Sequence, residues 1–281
     1  MRTIPIICLA LFLLAIPGCG SSDSPEPAST PAPEPVAQGD LRLGEVTIAS
    51  KAVGRPLEVS VIDPVGAPAK RPLLVFLHGA GGSHQSFTEN EAVLSTLEKL
   101  GDEAPVVAFP EGEESWWHDR ASGNWGEYVV REVIPTVSRR FDADPRRVSV
   151  GGISMGGYGA YHLGLANPGR WCAVGGHSAG LWTDPSEEYP GAFDDQSDYE
   201  ANDVLRAIES DPNAFGEIPL WNDYGDQDWF VSGNEAFVSA LEPSTQTSLT
   251  AQVWPGGHDL AYWNTHFPQY LRFYATALKR C

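Results

Sequence analysis

Short apolar runs alternate with longer amphipathic segments along the chain after residue 40. The run at 73–78 is nearly continuous, which predicts a strand buried on both faces, as in a parallel sheet covered by helices. Residues 89–100 instead place apolar side chains three or four positions apart and stop before Gly101, which predicts a helix closed by a glycine. The pattern therefore indicates an α/β fold class.

Eight strands and five helices are predicted in this way. The strands are predicted at 43–49, 57–63, 73–78, 106–109, 148–153, 172–176, 220–224 and 248–254. The helices are predicted at 89–100, 128–141, 156–166, 234–241 and 266–278. Such alternation is typical of a mostly parallel sheet with helices on both faces. Residues 182–217 interrupt it, and we expect them to form a partly helical insertion near the mouth of the functional site.

The N-terminal part of the chain follows a different pattern. One basic residue and the apolar run 4–16, too short to span a bilayer, predict a signal peptide over residues 1–18. Its end resembles a bacterial lipobox, so we expect Cys19 to be the lipidated first residue of the mature protein, with a plain secretory signal as the alternative. Residues 19–40 are rich in Ser, Pro and Ala and predict an extended tether. The folded domain is then 41–281.

The predicted anchor and the net charge restrict location and partners. We expect a lipid-anchored protein of the bacterial cell envelope, or a secreted or periplasmic one if the cysteine is not acylated. The 18 basic and 37 acidic residues give a net charge of −19 at pH 7. Such a surface repels phosphate groups, so we expect no nucleic-acid partner and no membrane contact except through the lipid anchor.

The chain contains four cysteines. Cleavage of the signal removes Cys8 and acylation occupies Cys19, which leaves Cys172 and Cys281 in an exported chain. These two either form a disulfide that ties the C-terminal helix to the sheet or remain free thiols, and the sequence leaves both open. No Cys or His spacing typical of a metal site occurs, and we expect neither a metal nor another cofactor.

The pattern Gly-x-Ser-x-Gly occurs twice, around Ser154 and Ser178. A nucleophilic serine in this motif needs a strand before it and a helix after it, because the sharp turn exposes the hydroxyl and the helix N-terminus stabilises negative charge. The strand at 148–153 and the helix at 156–166 meet this requirement for Ser154. Residues 181–185 predict no helix after Ser178. Ser154 is therefore the predicted nucleophile, and Ser178 is expected beside the site at the end of the next strand.

A serine nucleophile needs a base, and the base needs a carboxylate that orients it. In this arrangement the acid and then the histidine follow Ser154 along the chain. His258 follows two glycines after the last predicted strand, and it is preferred to His266, which we expect at the surface of the terminal helix. The turn Gly-Asp-Gln-Asp after the preceding strand offers Asp228, with Asp226 as the alternative.

The oxyanion formed by attack of a serine on an ester needs N–H donors. Met155 N–H is predicted to be one of them because it directly follows the nucleophile. The other is predicted in the turn His-Gly-Ala-Gly-Gly that follows the strand at 73–78, where Ala80 is favoured and Gly81 is the alternative. This turn lacks the lysine of a P-loop and the glycine spacing of a dinucleotide site, which argues against phosphate binding.

Several of the nine tryptophans lie beside the predicted catalytic loops. Trp116, Trp117 and Trp229 are predicted to line the substrate cleft as an aromatic wall for an acyl, phenolic or sugar group. Packing in the core is the alternative for these three. It is the preferred interpretation for Trp221 and Trp254, which lie on predicted strands.

Five segments together resemble the esterase-D-like branch of the α/β-hydrolases. They are LLVFLHGAGG, FPEGEESWWHD, RRFDADPRRVSVGGISMGGYGAYHLGLANPGRW, YGDQDWFV and VWPGGHDLAYW. The resemblance covers residues 71–278. This group includes tributyrin esterases, S-formylglutathione hydrolases, feruloyl and acetyl-xylan-type esterases, and mycolyltransferases.

The resemblance implies an α/β-hydrolase fold with a mostly parallel eight-stranded sheet. It also implies a catalytic triad of Ser154, Asp228 and His258 and an oxyanion loop that includes Ala80. The loop at 111–118 is expected to border the substrate cleft. The segment 182–217 matches no substrate loop that we can assign.

Three functions are compatible with these residues. The leading hypothesis is a serine carboxylesterase that forms an acyl-enzyme on Ser154 and acts on acyl esters or on feruloyl or acetyl esters of carbohydrates. An acyltransferase that passes the same acyl group to an alcohol is the first alternative. A non-catalytic surface-binding lipoprotein is the second, although a binding protein has no reason to keep Ser154, Asp228 and His258 together.

Overall fold

A mostly parallel sheet of nine strands lies at the centre of the computed structural model, which describes residues 36–38, 40–66 and 70–281. The strands in the described residues are β1 (Val36–Gln38), β2 (Leu41–Ala49), β3 (Pro56–Pro64), β4 (Arg71–Leu77), β5 (Val106–Pro110), β6 (Asp119–Arg120), β7 (Gly123–Asn124), β8 (Ala143–Ile153), β9 (Val174–His177), β10 (Pro219–Gly225) and β11 (Ser248–Trp254). β6 and β7 form a separate two-stranded ribbon. The predicted signal peptide, Cys19 and the predicted tether up to residue 35 lie outside the described residues.

The nine strands follow the order β1-β2-β3-β5-β4-β8-β9-β10-β11. The pairs β1–β2, β2–β3 and β3–β5 are antiparallel, and every neighbouring pair from β5 to β11 is parallel. Parallel neighbours need crossover connections, which helices supply here. All eight predicted strands are present, so the expected fold class is confirmed.

The ninth strand corrects the predicted tether. Residues 36–38 pair antiparallel with β2, with Val36 opposite Leu43, and so extend the sheet into the segment 19–40. Three residues are too few to show a period-2 pattern, and the prolines before them favour an irregular segment. The sequence pattern therefore carried no signal for this edge strand.

Eight α-helices accompany the strands in the described residues. They are α1 (Glu91–Leu100), α2 (Trp125–Glu127), α3 (Ile134–Arg140), α4 (Met155–Ala166), α5 (Gln196–Asn202), α6 (Val204–Ser210), α7 (Val231–Leu241) and α8 (Leu260–Arg280). Two short 3₁₀ turns occupy Gly101–Glu103 and Pro185–Glu187. None of the helices in the described part of the chain is long and apolar enough to cross a membrane.

The helix predicted at 128–141 is not a regular α-helix. It begins at α2, continues as a π-helical segment over Tyr128–Val133, and returns to α-helix in α3, where Pro135 lies in the first turn. A proline lacks an N–H and its ring clashes with the carbonyl four residues earlier, so a widened turn before it relieves both conflicts.

Helices cover both faces of the sheet. In β4, Leu73, Val75 and Leu77 point to the core cluster that includes residues of α3, α4, α6 and α7. Leu74 and Phe76 point to the opposite cluster, which α1 and α8 cover. Successive side chains of a strand alternate between faces, so a strand covered on both sides must be apolar throughout. This explains the nearly continuous apolar run in the sequence.

A disulfide joins Cys172, just before β9, to Cys281 at the end of α8. The two cysteines are 109 residues apart in the sequence. The pairing decides between the two alternatives that the sequence left open. It ties the end of the terminal helix to the sheet within the unit Ala32–Cys281, to which every described residue belongs.

Candidate active site

Ser154 lies at the sharp turn between β8 and α4. Its backbone has φ 58° and ψ −118°, which is a strained conformation for a residue with a side chain. The Ser154 N–H donates a 3.0 Å hydrogen bond to the carbonyl of His177 on β9. A Cβ atom at Gly152 would lie 2.4 Å from the Gly156 carbonyl, so this turn closes only with glycine at that position.

Three polar side chains form a continuous hydrogen-bonded chain at this turn. Ser154 Oγ lies 2.8 Å from His258 Nε2. His258 Nδ1 lies 3.0 Å from both carboxylate oxygens of Asp228. Because an ionised carboxylate only accepts, Nδ1 carries the proton and donates to Asp228, and Nε2 is free to accept from the serine hydroxyl. The side chains come from the β8–α4 turn, the loop after β11 and the loop after β10.

The surroundings of Asp228 favour its ionised form. Burial by itself would raise the pKa of this carboxyl. The hydrogen bond and charge of His258, the Phe230 N–H at 2.8 Å and the Ser178 hydroxyl outweigh burial and hold the pKa of Asp228 below its usual value. The alternative acid, Asp226, instead accepts a 3.1 Å hydrogen bond from Gly256 N–H and contacts the loop rather than the imidazole.

The second Gly-x-Ser-x-Gly motif supports the site from behind. Ser178 is fully buried directly after β9, and its N–H donates to the Asp223 carbonyl at 2.7 Å. Its hydroxyl accepts a 3.1 Å hydrogen bond from Trp263 Nε1. His266 was expected at the surface, and this is wrong: it is buried in α8 and stacks on Trp254 at 3.9 Å between ring centroids.

The glycine-rich loop after β4 lies against the serine. A Cβ atom at Gly79 would be 3.2 Å from Ser154 Cβ. The Gly81 N–H donates to the Glu114 carboxylate at 2.6 Å, so this alternative oxyanion donor already has an acceptor. No described residue accepts a hydrogen bond from Ala80 N–H, and Met155 N–H opens α4 beside the serine. The loop thus leaves the N–H of Ala80, not that of Gly81, free for a ligand.

His78 connects this loop to the segment that starts at Glu111. Its Nδ1 donates to the Gly79 carbonyl at 2.9 Å, and its Nε2 accepts from Gly112 N–H at 3.0 Å. Burial opposes ionisation of Glu111, but the neighbouring His78 ring, 3.4 Å away, and hydrogen bonds from the N–H groups of Glu113 and His84 lower the pKa of Glu111 to about 2. This link between the two loops could not be found from the sequence, because its partners His78 and Gly112 are 34 residues apart.

A cavity of about 490 Å³ contains Ser154 and His258. Its walls are mainly apolar, and the side chains of its aromatic and aliphatic wall are Phe87, Trp116, Ile153, Tyr189, Trp229, Phe230, Leu260 and Trp263. Trp229 is 80 % exposed and stacks on the His258 ring with 5.1 Å between centroids. Another cavity, of about 1130 Å³, lies beside the Cys172–Cys281 disulfide and includes none of the three hydrogen-bonded residues.

The structure brings two of the three predicted cleft tryptophans, Trp116 and Trp229, into this cavity. The prediction for Trp117 is wrong. Its ring is fully buried and packs against Gly112 and Gly159, and its Nε1 donates to the His78 carbonyl at 3.2 Å. Trp117 is therefore part of the core, whereas the adjacent Trp116 lines the cavity.

The insertion contributes to the same cavity. It is partly helical, with α5 and α6 between β9 and β10, and Tyr189 from it lines the cavity of Ser154. No sequence pattern identifies Tyr189, because an exposed tyrosine in an irregular segment belongs to no periodic pattern or motif. In the described part of the chain, no group of three or more His, Cys, Asp or Glu side chains is arranged to hold a metal ion.

Comparisons with known proteins agree with this geometry. The sequence matches the family described as "Putative esterase" over residues 50–274. S-formylglutathione hydrolase from Bos taurus is 27% identical in an alignment of 200 residues that covers 62% of this chain and 70% of the bovine protein. Acetyl esterase from Caldicellulosiruptor saccharolyticus is 24% identical in an alignment of 257 residues that covers 80% of this chain and 95% of that enzyme.

Solved structures share the fold. S-formylglutathione hydrolase from Agrobacterium tumefaciens has a TM-score of 0.73 at 20% identity, over 87% of this chain and 98% of that one. A ferulic acid esterase has a TM-score of 0.73 at 22% identity, over 85% and 98% of the two chains. The chain therefore belongs to this esterase family, has the α/β-hydrolase fold, and is a carboxylic ester hydrolase.

Proposed function

We propose that the protein hydrolyses carboxylic esters through an acyl-enzyme on Ser154, with His258 as general base and acid and Asp228 as the group that orients it. The observation that carries this proposal is the hydrogen-bonded chain from Ser154 through His258 to Asp228, with the serine in a strained turn at a helix N-terminus. A serine hydroxyl is a weak nucleophile until such a base accepts its proton.

The proposed reaction has two halves. Ser154 Oγ attacks the ester carbonyl as His258 Nε2 takes the hydroxyl proton, and the tetrahedral intermediate expels the alcohol, which receives that proton from His258. Water then attacks the acyl-enzyme, with His258 again accepting a proton and returning it to Ser154. Asp228, held as a carboxylate, stabilises the imidazolium in both halves.

The N–H groups of Ala80 and Met155 are proposed to hold the oxyanion. Ala80 N–H has no acceptor among the described residues, while Gly81 N–H is occupied by Glu114. Developing charge on the carbonyl oxygen would also benefit from the N-terminus of α4, which begins at Met155. Loss of one oxyanion donor typically reduces kcat roughly a hundredfold or more.

The substrate is proposed to be an acyl ester, with acetyl or feruloyl esters of carbohydrates as specific candidates. The apolar, aromatic wall of the cavity supports an uncharged group next to the scissile carbonyl. Two similar proteins support the same candidate substrates: an acetyl esterase that is similar in sequence and a ferulic acid esterase that is similar in fold. Of the three tryptophans that the sequence predicts in the cleft, Trp116 and Trp229 are the proposed substrate contacts.

The protein is further proposed to reach the bacterial cell envelope as a lipoprotein through Cys19, with no nucleic-acid partner. The sequence pattern at residues 4–19 supports this location. Metabolic labelling with a radioactive fatty acid, in the natural chain and in Cys19→Ser, tests it. Label in the variant, or none in the natural chain, would contradict the lipid anchor.

The proposed nucleophile is tested by hydrolysis of p-nitrophenyl acetate, butyrate and octanoate and of methyl ferulate. Ser154→Ala should reduce kcat by about a thousandfold or more. It should also abolish labelling by a fluorophosphonate probe. Ser239→Ala, an exposed serine on α7, is the matched control and should retain both. Activity or labelling that survives Ser154→Ala would contradict the assignment.

Product analysis separates hydrolysis from acyl transfer, because both share the acyl-enzyme. With glycerol or a sugar present, a hydrolase releases mainly the free acid, whereas a transferase yields mainly the new ester. A natural chain that neither hydrolyses any ester nor reacts with the fluorophosphonate probe would instead support the binding-only alternative.

A further inference from the structure

A smaller cavity, called the second cavity below, adjoins the one that contains Ser154. Its volume is about 280 Å³, and residues 181–183 and 187–190, at the start of the insertion, form one side of it. Tyr189, Trp229 and Phe230 line both cavities, so the two meet across these three rings. The segment that builds this cavity belongs to the insertion that matched no assignable substrate loop in the sequence.

The insertion is anchored to the rest of the fold. The Arg120 guanidinium donates to the Asp194 carboxylate at 3.0 Å and to the Gly191 carbonyl at 2.9 Å. His118 Nε2 lies 3.0 Å from the carboxylate of Asp198, and both groups are shielded from solvent. These contacts fix the backbone that follows Tyr189. The Tyr189 side chain is therefore attached to a segment whose position is fixed.

Aromatic packing holds the ring of Tyr189 from the other side. Trp116 lies 5.8 Å from Tyr189 and 5.0 Å from Trp182 between ring centroids. Tyr189 is still 48 % exposed, although it lines both cavities. A half-exposed ring between two cavities controls their shape, and its removal does not disturb the core.

The position of His258 indicates which half of the ester enters the second cavity. In the proposed reaction His258 gives its proton to the leaving oxygen, so the alcohol half must lie on the histidine side of the scissile bond. The rings of Trp229 and Phe230 each lie 5.1 Å from the His258 ring, and the same two rings continue into the second cavity.

We infer that the second cavity is the alcohol subsite of the enzyme and that Tyr189 determines which alcohols fit it. The inference rests on the proposed function. The rings of Trp182, Tyr189, Trp229 and Phe230 make the subsite suited to an apolar or aromatic alcohol.

The charge of the lining excludes one class of leaving group. Glu187 and Glu188 line the second cavity, and no lysine or arginine lines either cavity in the described residues. Neither glutamate forms an ion pair with another described residue. An anionic alcohol or thiol would therefore meet like charge without a compensating cation, and the subsite disfavours it.

The first experiment compares kcat/KM for benzyl acetate and ethyl acetate, which share the acyl group. Tyr189→Ala should reduce the benzyl-over-ethyl ratio about fivefold to tenfold, because one ring contact is lost. Tyr189→Phe should keep the ratio, since it keeps the ring. Val65→Ala removes an exposed apolar side chain elsewhere and should also keep it. The ratio of ethyl butyrate to ethyl acetate should stay constant throughout.

The second experiment uses two thioesters of the same shape, the S-acetyl derivatives of 3-mercaptopropionamide and 3-mercaptopropionate. The natural chain should prefer the neutral compound. The double variant Glu187→Gln/Glu188→Gln should reduce this preference about twofold to fivefold at low ionic strength, and added salt should reduce it in the natural chain. Glu98→Gln/Glu209→Gln removes two exposed carboxylates elsewhere and should leave it unchanged.

The outcomes separate the inference from the proposed function. If Ser154-dependent hydrolysis is present but Tyr189→Ala leaves the alcohol ratio unchanged, or alters the acyl ratio instead, the assignment of the alcohol subsite is wrong and the esterase mechanism stands. A preference for the anionic thioester would likewise overturn the charge argument. If no hydrolysis depends on Ser154, the proposed function fails first.

Discussion

His177 Nδ1 donates to the Asp223 carboxylate at 2.6 Å, and both side chains are fully buried beneath the serine turn. The His177 carbonyl accepts from Ser154 N–H, and the Asp223 carbonyl accepts from Ser178 N–H. The backbone of this pair therefore holds both Gly-x-Ser-x-Gly turns. Three further donors reach the Asp223 carboxylate, at distances of 2.7 to 2.9 Å: Trp221 Nε1, Tyr262 OH and Tyr270 OH.

Asp223→Ala is expected to destabilise the fold strongly. It leaves four buried donors without their acceptor, and loss of one partner from such a buried charged network costs about 3–5 kcal/mol. Burial and then the charge of Asp223 raise the pKa of Tyr270, so this tyrosine remains a donor. Urea unfolding followed by far-UV circular dichroism measures the loss, with the exposed Asp40→Ala as the control. A loss below about 1 kcal/mol would contradict the role of the network.

The proposed catalytic residues could be identified from the sequence because their signals are local. Ser154 stands in a motif with its strand and helix on either side, and His258 and Asp228 each follow a strand in a glycine-containing loop. Trp116 and Trp117 are a case that local sequence signals do not resolve. They are adjacent in the same loop and both have a positive φ, yet Trp116 lines the cavity and Trp117 is buried in the core.

The residue by which the insertion lines the cavity could not be predicted. Tyr189 reaches the cavity because the insertion is tied back to the fold, and the contact of His118 with Asp198 spans 80 residues. Such pairs depend on where two irregular segments meet, which no period or motif encodes. For the same reason the hydrogen bond from Gly81 N–H to Glu114, which favours Ala80 over Gly81 as the proposed oxyanion donor, became visible only in three dimensions.

Loss of the disulfide should lower stability without removing activity. Cys172 and Cys281 close a long loop, and a cross-link of this span contributes on the order of 3–5 kcal/mol in the chain-entropy account. The double variant Cys172→Ser/Cys281→Ser should therefore have a lower Tm than the natural chain but a similar kcat at low temperature. Adding a reductant should lower the Tm of the natural chain only. An equal fall in both proteins would contradict a bonded pair.

Acid should destabilise the protein through Glu111. Its pKa is about 2 in the folded protein against 4.5 for a free side chain, so it contributes stability that is fully present above pH 4.5. That contribution, on the order of 2–3 kcal/mol, is lost as the pH falls from 4.5 towards 2. Urea midpoints should fall less steeply over this interval in Glu111→Gln than in the natural chain. Parallel pH dependences would show that Glu111 is not responsible.

Asp228→Asn and Asp226→Asn should separate the two candidate acids. Of these two carboxylates only that of Asp228 contacts the His258 ring, so its amide variant would favour the wrong imidazole tautomer and reduce kcat by about ten-thousandfold while the fold persists. Asp226 accepts from Gly256 N–H, and its amide oxygen can still accept there, so Asp226→Asn should reduce kcat less than about tenfold. Steady-state rates on p-nitrophenyl acetate, with circular dichroism of each variant, decide the matter. A larger loss in Asp226→Asn than in Asp228→Asn would reverse the assignment of the orienting carboxylate.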